Sequence, residues 1–353
     1  MVYRIVAIPP LTREGREILR DYSVAYFRRN QLDEAIKALS EGAEILIFVG
    51  FKVGKEVMDK APKLKLIITR TSGVDDIDLN EAEERGICVA NQPEVIAESV
   101  AEHVIGSILV SLKFIVAGHE YVKSGNWEKE GWPHWFRGGL ILGRTLGLIG
   151  AGRIGTLIAS KAKCLGILKI YYWSRSRKPY LEMSLGAEKV PFNEIFSSSQ
   201  ILVNTLPQTP QTENLITLEH LMKLPQNAVF VNVGRGKTVE EGAIEKLLEV
   251  RQDVRVILDV YREEPLKHES CLIKKYGEDP RVILTPHIAG YSEESYRGTS
   301  YLAALQAVKY LEEGCVWNPV TAACRSCRNS PPPLEEVLRN ITIDAYPISR
   351  EPQ

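Results

Sequence analysis

The sequence predicts an α/β protein made of two doubly wound parallel sheets in two domains with a cleft between them. Three observations predict it. Short β-branched runs alternate with helix-period segments in two separate series, a glycine-rich turn opens the second series, and 353 residues suffice for two cores at roughly 100 to 200 residues per domain. Strands that alternate with helices are covered on both faces, so they run parallel and read as continuous apolar stretches.

The first series comprises "YRIVAI" (3–8), "AEILIFV" (43–49), "LKLIITR" (64–70) and "GICVA" (86–90). A long apolar-periodic stretch, 99–118, then predicts a helix of several turns, with Ser99 as N-cap and Glu102 completing a capping box. The second series starts at "TLGLIG" (145–150) and continues through 169–173, 200–205, 227–233, 254–260 and 281–284, six candidate strands. Past His287 the strands stop. Residues 292–314 have helical spacing with Gly314 as C-terminal cap, and this helix is assigned back to the first sheet, which lacks a closing element. The expected domains are therefore 1–98 with 290–320, and 99–289. A tail, 321–353, is expected to dock on the surface or to move, with helical potential only over 335–345.

Lys and Arg total 44 against 45 Asp and Glu, a formal net charge of -1. No global field favours nucleic acid or an anionic membrane, so neither is an expected partner and any anion site must be local. The N-terminus shows no secretory pattern, no apolar run of about 18 residues is evident, and a cytoplasmic location is expected. Six cysteines (Cys88, Cys164, Cys271, Cys315, Cys324, Cys327) are scattered rather than spaced as a framework, so reduced thiols are expected. Cys324-x-x-Cys327 is half a zinc motif at most, and no metal is expected.

"GAGRIG", running from Gly150 through Gly152, Arg153 and Ile154 to Gly155, follows an apolar strand and opens a helical segment, the order of a dinucleotide fingerprint. Gly150 permits the tight turn, Gly152 lets a pyrophosphate approach the backbone, and Gly155 lets helix pack on strand. The helix N-terminus offers unpaired N–H groups. An NAD site would carry an acidic residue at the tip of the next strand. Here that tip reads Trp173, Ser174, Arg175, with Arg177 beyond and no carboxylate before Glu182. A hydroxyl and guanidinium forks suit a ribose 2'-phosphate, so NADP(H) is expected in preference to NAD(H), which stays possible.

Three further stretches end strands with polar groups: "NVGRG" (232–236), "LDVYREEP" (258–265) and "LTPHIAGYS" (284–292). They offer a guanidinium for a carboxylate, a carboxylate to charge a histidine, and a histidine to give a proton. With "GAGRIG", "NTLPQTPQTENLI" (204–216), "RGKTVEEGAI" (235–244), "TPHIAG", "SGVDDIDLNEAEERGICVANQP" (72–93) and "AESVAEHVIGSILVSLK" (97–113) in this order, the chain resembles the D-isomer-specific 2-hydroxyacid dehydrogenase family. "YYWSRSRK" is most similar to its archaeal-type glyoxylate and hydroxypyruvate reductases.

The resemblance implies a flavodoxin-like substrate domain and a Rossmann coenzyme domain. It implies that Arg235 binds the substrate carboxylate, His287 exchanges the proton and Glu264 charges and orients His287, with Glu263 as the alternative acid. Backbone N–H groups of Ser72, Gly73 and Val74 would complete the carboxylate site, and Asp259 would lie near the nicotinamide carboxamide. Leu206, Pro207, Thr212, Val233 and Gly234 would line the coenzyme site. His103, on an apolar helix face, reads as a structural histidine. The implied activity is reduction of a small 2-keto acid, glyoxylate or hydroxypyruvate, to the D-2-hydroxy acid by a homodimer. The alternatives are D-3-phosphoglycerate dehydrogenase and a dinucleotide-sensing corepressor of the same fold, which an acidic residue at the second-strand tip would favour.

Overall fold

The computed structural model describes residues 4–134 and 136–341. It divides into two compact units, one from the described residues of Met1–Ile96 and Tyr291–Gln353, the other Ala97–Gly290.

The first unit carries a five-stranded sheet in the order β2-β1-β3-β4-β5, with β1 Ile5–Ile8, β2 Val24–Tyr26, β3 Ile45–Phe48, β4 Leu66–Thr69 and β5 Cys88–Ala90. All its pairings are parallel, the flavodoxin-like arrangement. The three-residue β2 escaped the sequence reading because "VAY" is too short to show a period. Alternation along the strands feeds two cores. Val6, Leu46 and Ile67 point to one face, whereas Ile5, Ile47 and Ile68 point to the other, where Ala303, Ala304 and Ala307 of the helix Glu293–Glu313 pack. That helix is capped by Ser292, whose hydroxyl accepts from Ser295 N, and ends at Gly314 with φ +66°, a left-handed turn that glycine adopts without steric cost.

The C-terminal segment belongs to this unit as far as it is described, rather than hanging from it. Thr321 Oγ1 donates to Ile87 O and accepts from Val89 N at the edge of the sheet. Cys324 is disulfide-bonded to Cys88, and Cys327 to Cys315, which overturns the expectation of reduced thiols. Spacing could not reveal this, since one pair is 236 residues apart in sequence and only the fold brings strand and tail together. Cys164 and Cys271 are free and exposed. The helix Leu334–Asn340 buries Val337 against Val95 and Leu302. The part of the expected 335–345 helix past 341 lies outside the described residues.

The second unit carries seven strands in the order β12-β11-β10-β9-β6-β7-β8. They are β6 Thr145–Ile149, β7 Lys169–Trp173, β8 Glu188–Lys189, β9 Ile201–Asn204, β10 Val229–Asn232, β11 Arg255–Leu258 and β12 Val282–Leu284, again all parallel. β8, two exposed residues on the edge, was not expected. The chain winds outward from β6 in one direction, then returns to β9 and winds the other way. β6 and β9 therefore flank a topological switch point, where open α/β sheets bind ligands.

The boundary between the units falls within the helix Pro93–Leu112. It begins six residues before the expected Ser99 cap, because Pro93 supplies a pre-set φ at a position whose N–H needs no partner. Ser99 sits inside the helix and donates its hydroxyl to Ala289 O at 2.9 Å. By length and mean hydropathy, 1.6, this helix could cross a membrane, contrary to the expectation of no such run. Its Val100, Ala101, Val104, Ile108 and Leu112 are buried in the protein.

Candidate active site

At the switch point the glycine fingerprint adopts the geometry its residues require. Gly150 follows β6 with φ +95°, its N–H donating to Trp173 O and its carbonyl accepting from Thr205 Oγ1 at 2.7 Å. A Cβ on Gly155 would stand 2.5 Å from Gly150 O, so helix Arg153–Cys164 can approach the strand only with glycine there. Gly152 differs. Nothing lies within 4 Å of where its Cβ would be, which leaves open space in front of the helix N-terminus for a pyrophosphate to reach backbone N–H groups. These residues fit a dinucleotide.

A buried polar network supports the next loops. Asn204, at the end of β9, donates through Nδ2 to Asn232 Oδ1 (2.9 Å) and Thr238 Oγ1 (2.7 Å) and accepts from Leu206 N. Asn232, at the end of β10, accepts from Gly234 N, and Thr238 Oγ1 donates to Arg235 O at 2.6 Å. A side chain on Gly234 would meet Leu206 O at 2.6 Å, so the loops holding Leu206–Pro207 and Val233–Gly234 abut through backbone. Thr212 Oγ1 donates to Pro207 O and fixes the first loop. The network positions Arg235, whose Nη1 donates to Gly234 O. Asn204, Asn232, Thr238 and Gly236 escaped the sequence reading. Their signal was two asparagines ending successive apolar strands, a polar type that is buried only with partners.

His287 and Glu264 meet at the ends of β12 and β11. Nδ1 of His287 lies 2.7 Å from Glu264 Oε2, while Glu264 Oε1 accepts from Tyr261 N at 2.9 Å. The bond to Glu264 raises the histidine pKa above its ordinary value, against burial and the Arg235 charge, which lower it. Burial pushes Glu264 up, yet the bonds from His287 and Tyr261 N bring it below the usual carboxylate value. The alternative acid, Glu263, is 79% exposed and faces Lys267 at 3.6 Å. Between the two candidate acids, the geometry selects Glu264.

Asp259 lies inside the protein at the end of β11. It is 1% exposed, and its carboxylate accepts from Thr285 Oγ1 (2.6 Å), Ile288 N and Ala289 N (both 2.9 Å). It holds the turn that carries His287, which has φ +55°, a conformation that a non-glycine residue keeps only when its surroundings impose it. His103 Nε2 lies 3.4 Å from Thr285 Oγ1, so this histidine stands beneath the same turn.

In the basic turn after β7, two of the three expected groups hydrogen-bond within the chain. Ser174 spends its hydroxyl proton on Ser176 O at 2.6 Å. Arg177 forks onto Glu182 at 3.1 and 2.6 Å. Arg175 is exposed with no partner among the described residues. In the first unit, Asn91 Nδ2 donates to Ser72 O and Thr71 Oγ1 to Gly73 O, fixing the loop after β4. The N–H groups of Ser72, Gly73 and Val74 have no acceptor among the described residues. Among those residues no group of three or more His, Cys, Asp or Glu side chains could hold a metal ion.

Residues 105–289 match the family model of the D-isomer specific 2-hydroxyacid dehydrogenase NAD binding domain. The chain belongs to the D-isomer-specific 2-hydroxyacid dehydrogenase family. A glyoxylate reductase of Pyrococcus horikoshii is 35% identical over 278 residues, 78% of this chain and 81% of that protein. Another from Pyrococcus furiosus is 34% identical over 300 residues, 84% of each. Among solved structures, an NADPH-dependent glyoxylate/hydroxypyruvate reductase of Sinorhizobium meliloti, in complex with NADP and malonate, superposes with a TM-score of 0.79. It is 27% identical, over 94% of this chain and 100% of that one. This member of the 2-hydroxyacid dehydrogenases is thus an oxidoreductase that uses a nicotinamide dinucleotide.

Proposed function

We propose that this dehydrogenase reduces glyoxylate or hydroxypyruvate to the D-2-hydroxy acid, with NADPH preferred to NADH. The observation that carries the reading is the Glu264–His287 pair, 2.7 Å apart, with Arg235 close enough for its charge to act on the imidazole. The bound dinucleotide supplies the hydride. The protein supplies orientation and the proton.

Arg235 binds the substrate carboxylate through its planar fork and draws charge onto the keto oxygen, which lysine would do less well. The unpaired N–H groups of Ser72, Gly73 and Val74 are donors of the kind a carboxylate needs. His287, held protonated by Glu264, gives its proton to the forming alkoxide from the ring nitrogen not bonded to the carboxylate, and takes it back in oxidation. Asp259 and Thr285 keep the histidine turn in register.

The coenzyme preference rests on the strand tip without a carboxylate and on Arg175. The relatives named above support the substrate class. The segment 115–142 leaves Ile115, Val116, Val122, Trp127, Trp132, Leu140 and Leu142 exposed, apolar side chains that a second copy would cover, so the reading includes a homodimer as the working form. The test follows the near-ultraviolet absorbance of reduced nicotinamide with glyoxylate and hydroxypyruvate, each with NADPH and NADH. Turnover of neither keto acid with either coenzyme would sink the reading.

A further inference from the structure

The helix Pro93–Leu112 enters the second unit at Ala97, and that unit ends at Gly290. Ser99 and His103 stand four residues apart in it, hence on one face, and both reach the turn that carries His287. A serine inside a helix ordinarily returns its hydroxyl to a carbonyl of its own preceding turn. Ser99 instead donates to Ala289 O at 2.9 Å, which ties the first residues of the unit to its last. His103 Nε2 lies 3.4 Å from Thr285 Oγ1 and 4.0 Å from Asp259 Oδ1. The one hydroxyl proton of Thr285 goes to Asp259 Oδ1, so the threonine oxygen accepts from the imidazole and Nε2 carries a proton.

A neighbouring stripe of the same helix is pinned independently. Lys161, in the helix Arg153–Cys164, pairs with Glu98 and, at 3.4 Å, with Glu102. The first turns of the long helix inside the unit are thereby fixed to the helix that the glycine fingerprint opens. They form a firm base for a backbone that needs one, since His287 has φ +55°. The Asp259 carboxylate, which accepts from Ile288 N and Ala289 N, supports that turn from one side. Ser99 and His103 support it from the helix.

We propose that Ser99 and His103 are positioning residues for the proton transfer. Ser99 acts through Ala289 O, and His103 through Thr285 and Asp259, to hold the 285–289 turn so that His287 faces Glu264. Both work through the turn and exchange no proton with substrate. The inference rests on the reading of His287 as the proton donor.

The test uses the full chain and the variants Ser99→Ala, His103→Leu and His103→Gln. The kcat for glyoxylate with NADPH is expected to fall by ~10-fold or more in S99A/H103L, with coenzyme affinity unchanged. H103Q, whose amide still donates, should regain most of what H103L loses. In a His287→Gln background S99A and H103L should cost little further, because residues that act through one group are not additive. A second readout needs no turnover. The imidazole resonance of His287, assigned by its absence from H287Q, should titrate at lower pH in S99A/H103L than in the wild type, because a displaced ring loses the Glu264 charge. S99A removes a single oxygen and carries the test alone where H103L melts early. Wild-type kcat with an unmoved His287 midpoint in S99A/H103L would overturn the proposal, as would a loss of kcat that persists in full in the H287Q background. A midpoint that falls in a protein turning over no keto acid would instead strike the proposed function, leaving the positioning of His287 standing.

Discussion

The imidazole of His287 and the carboxylate of Glu264 are 2.7 Å apart, and their pKa values are displaced in opposite directions, the histidine up and the glutamate down. Each stabilises the charged form of the other, so the histidine stays protonated at pH values where a lone one would not.

In the direction of reduction only the protonated imidazole can give a proton. The kcat/KM for keto-acid reduction is therefore expected to be flat below the raised histidine pKa and to fall as pH rises through it. Glu264→Gln keeps a polar partner but removes the charge, and the descending limb should move to lower pH. His287→Gln should cost on the order of 10²-fold or more in kcat at all pH values. A pH profile that does not move in E264Q would refute the pairing as the source of the shift.

The basic turn predicts unequal arginines. Arg177 is 77% exposed and engaged with Glu182, whereas Arg175 has no competing acid among the described residues. Arg175→Ala should lower kcat/KM for NADPH by roughly 10-fold, while Arg177→Ala should change it less. Glu182→Gln should release Arg177 and improve the use of NADPH. Comparison of both coenzymes in the three variants decides it, and equal effects of R175A and R177A would contradict the geometry.

Two glycines should respond differently to a methyl group. A Cβ on Gly236 would stand 1.9 Å from the carbonyl carbon of Tyr261, whereas none of the surrounding atoms lies within 4 Å of one on Gly152. Gly236→Ala should therefore lower stability, by about 1–3 kcal/mol or more. Gly152→Ala should melt like the wild type yet raise the KM for dinucleotide, because the methyl fills the approach to the backbone. Thermal melts paired with coenzyme titrations separate the two outcomes.

The disulfides predict a thiol count. Under denaturing, non-reducing conditions only Cys164 and Cys271 of the six cysteines should react with an alkylating reagent, and all six after reduction. Reduction should lower the thermal midpoint by on the order of 5 °C or more. Such pairs occur in oxidising compartments and in intracellular proteins of hyperthermophiles. Alkylation of all six without reductant would show the pairs do not form.

What the sequence by itself determined is what depends on a turn or two of chain. The apolar runs that became ten of the twelve strands, the left-handed turn at Gly314, and the order strand, Gly150, Gly152, helix are all dictated by local sterics and periodicity. The motif order placing Arg235, Glu264 and His287 at strand ends is of the same kind. The tertiary structure alone decided which side chains became partners. It set Glu264 and not Glu263 on His287, turned Asp259 inward to hold the histidine's turn, let Glu182 capture Arg177, and joined Cys88 to Cys324 across 236 residues. It also began the long helix at Pro93 rather than at a plausible Ser99 cap, since packing along the whole apolar face outweighs one capping bond. A backbone preference is fixed by a residue's immediate neighbours, whereas a hydrogen bond or ion pair is fixed by whichever distant group the packed sheets bring within about 3 Å.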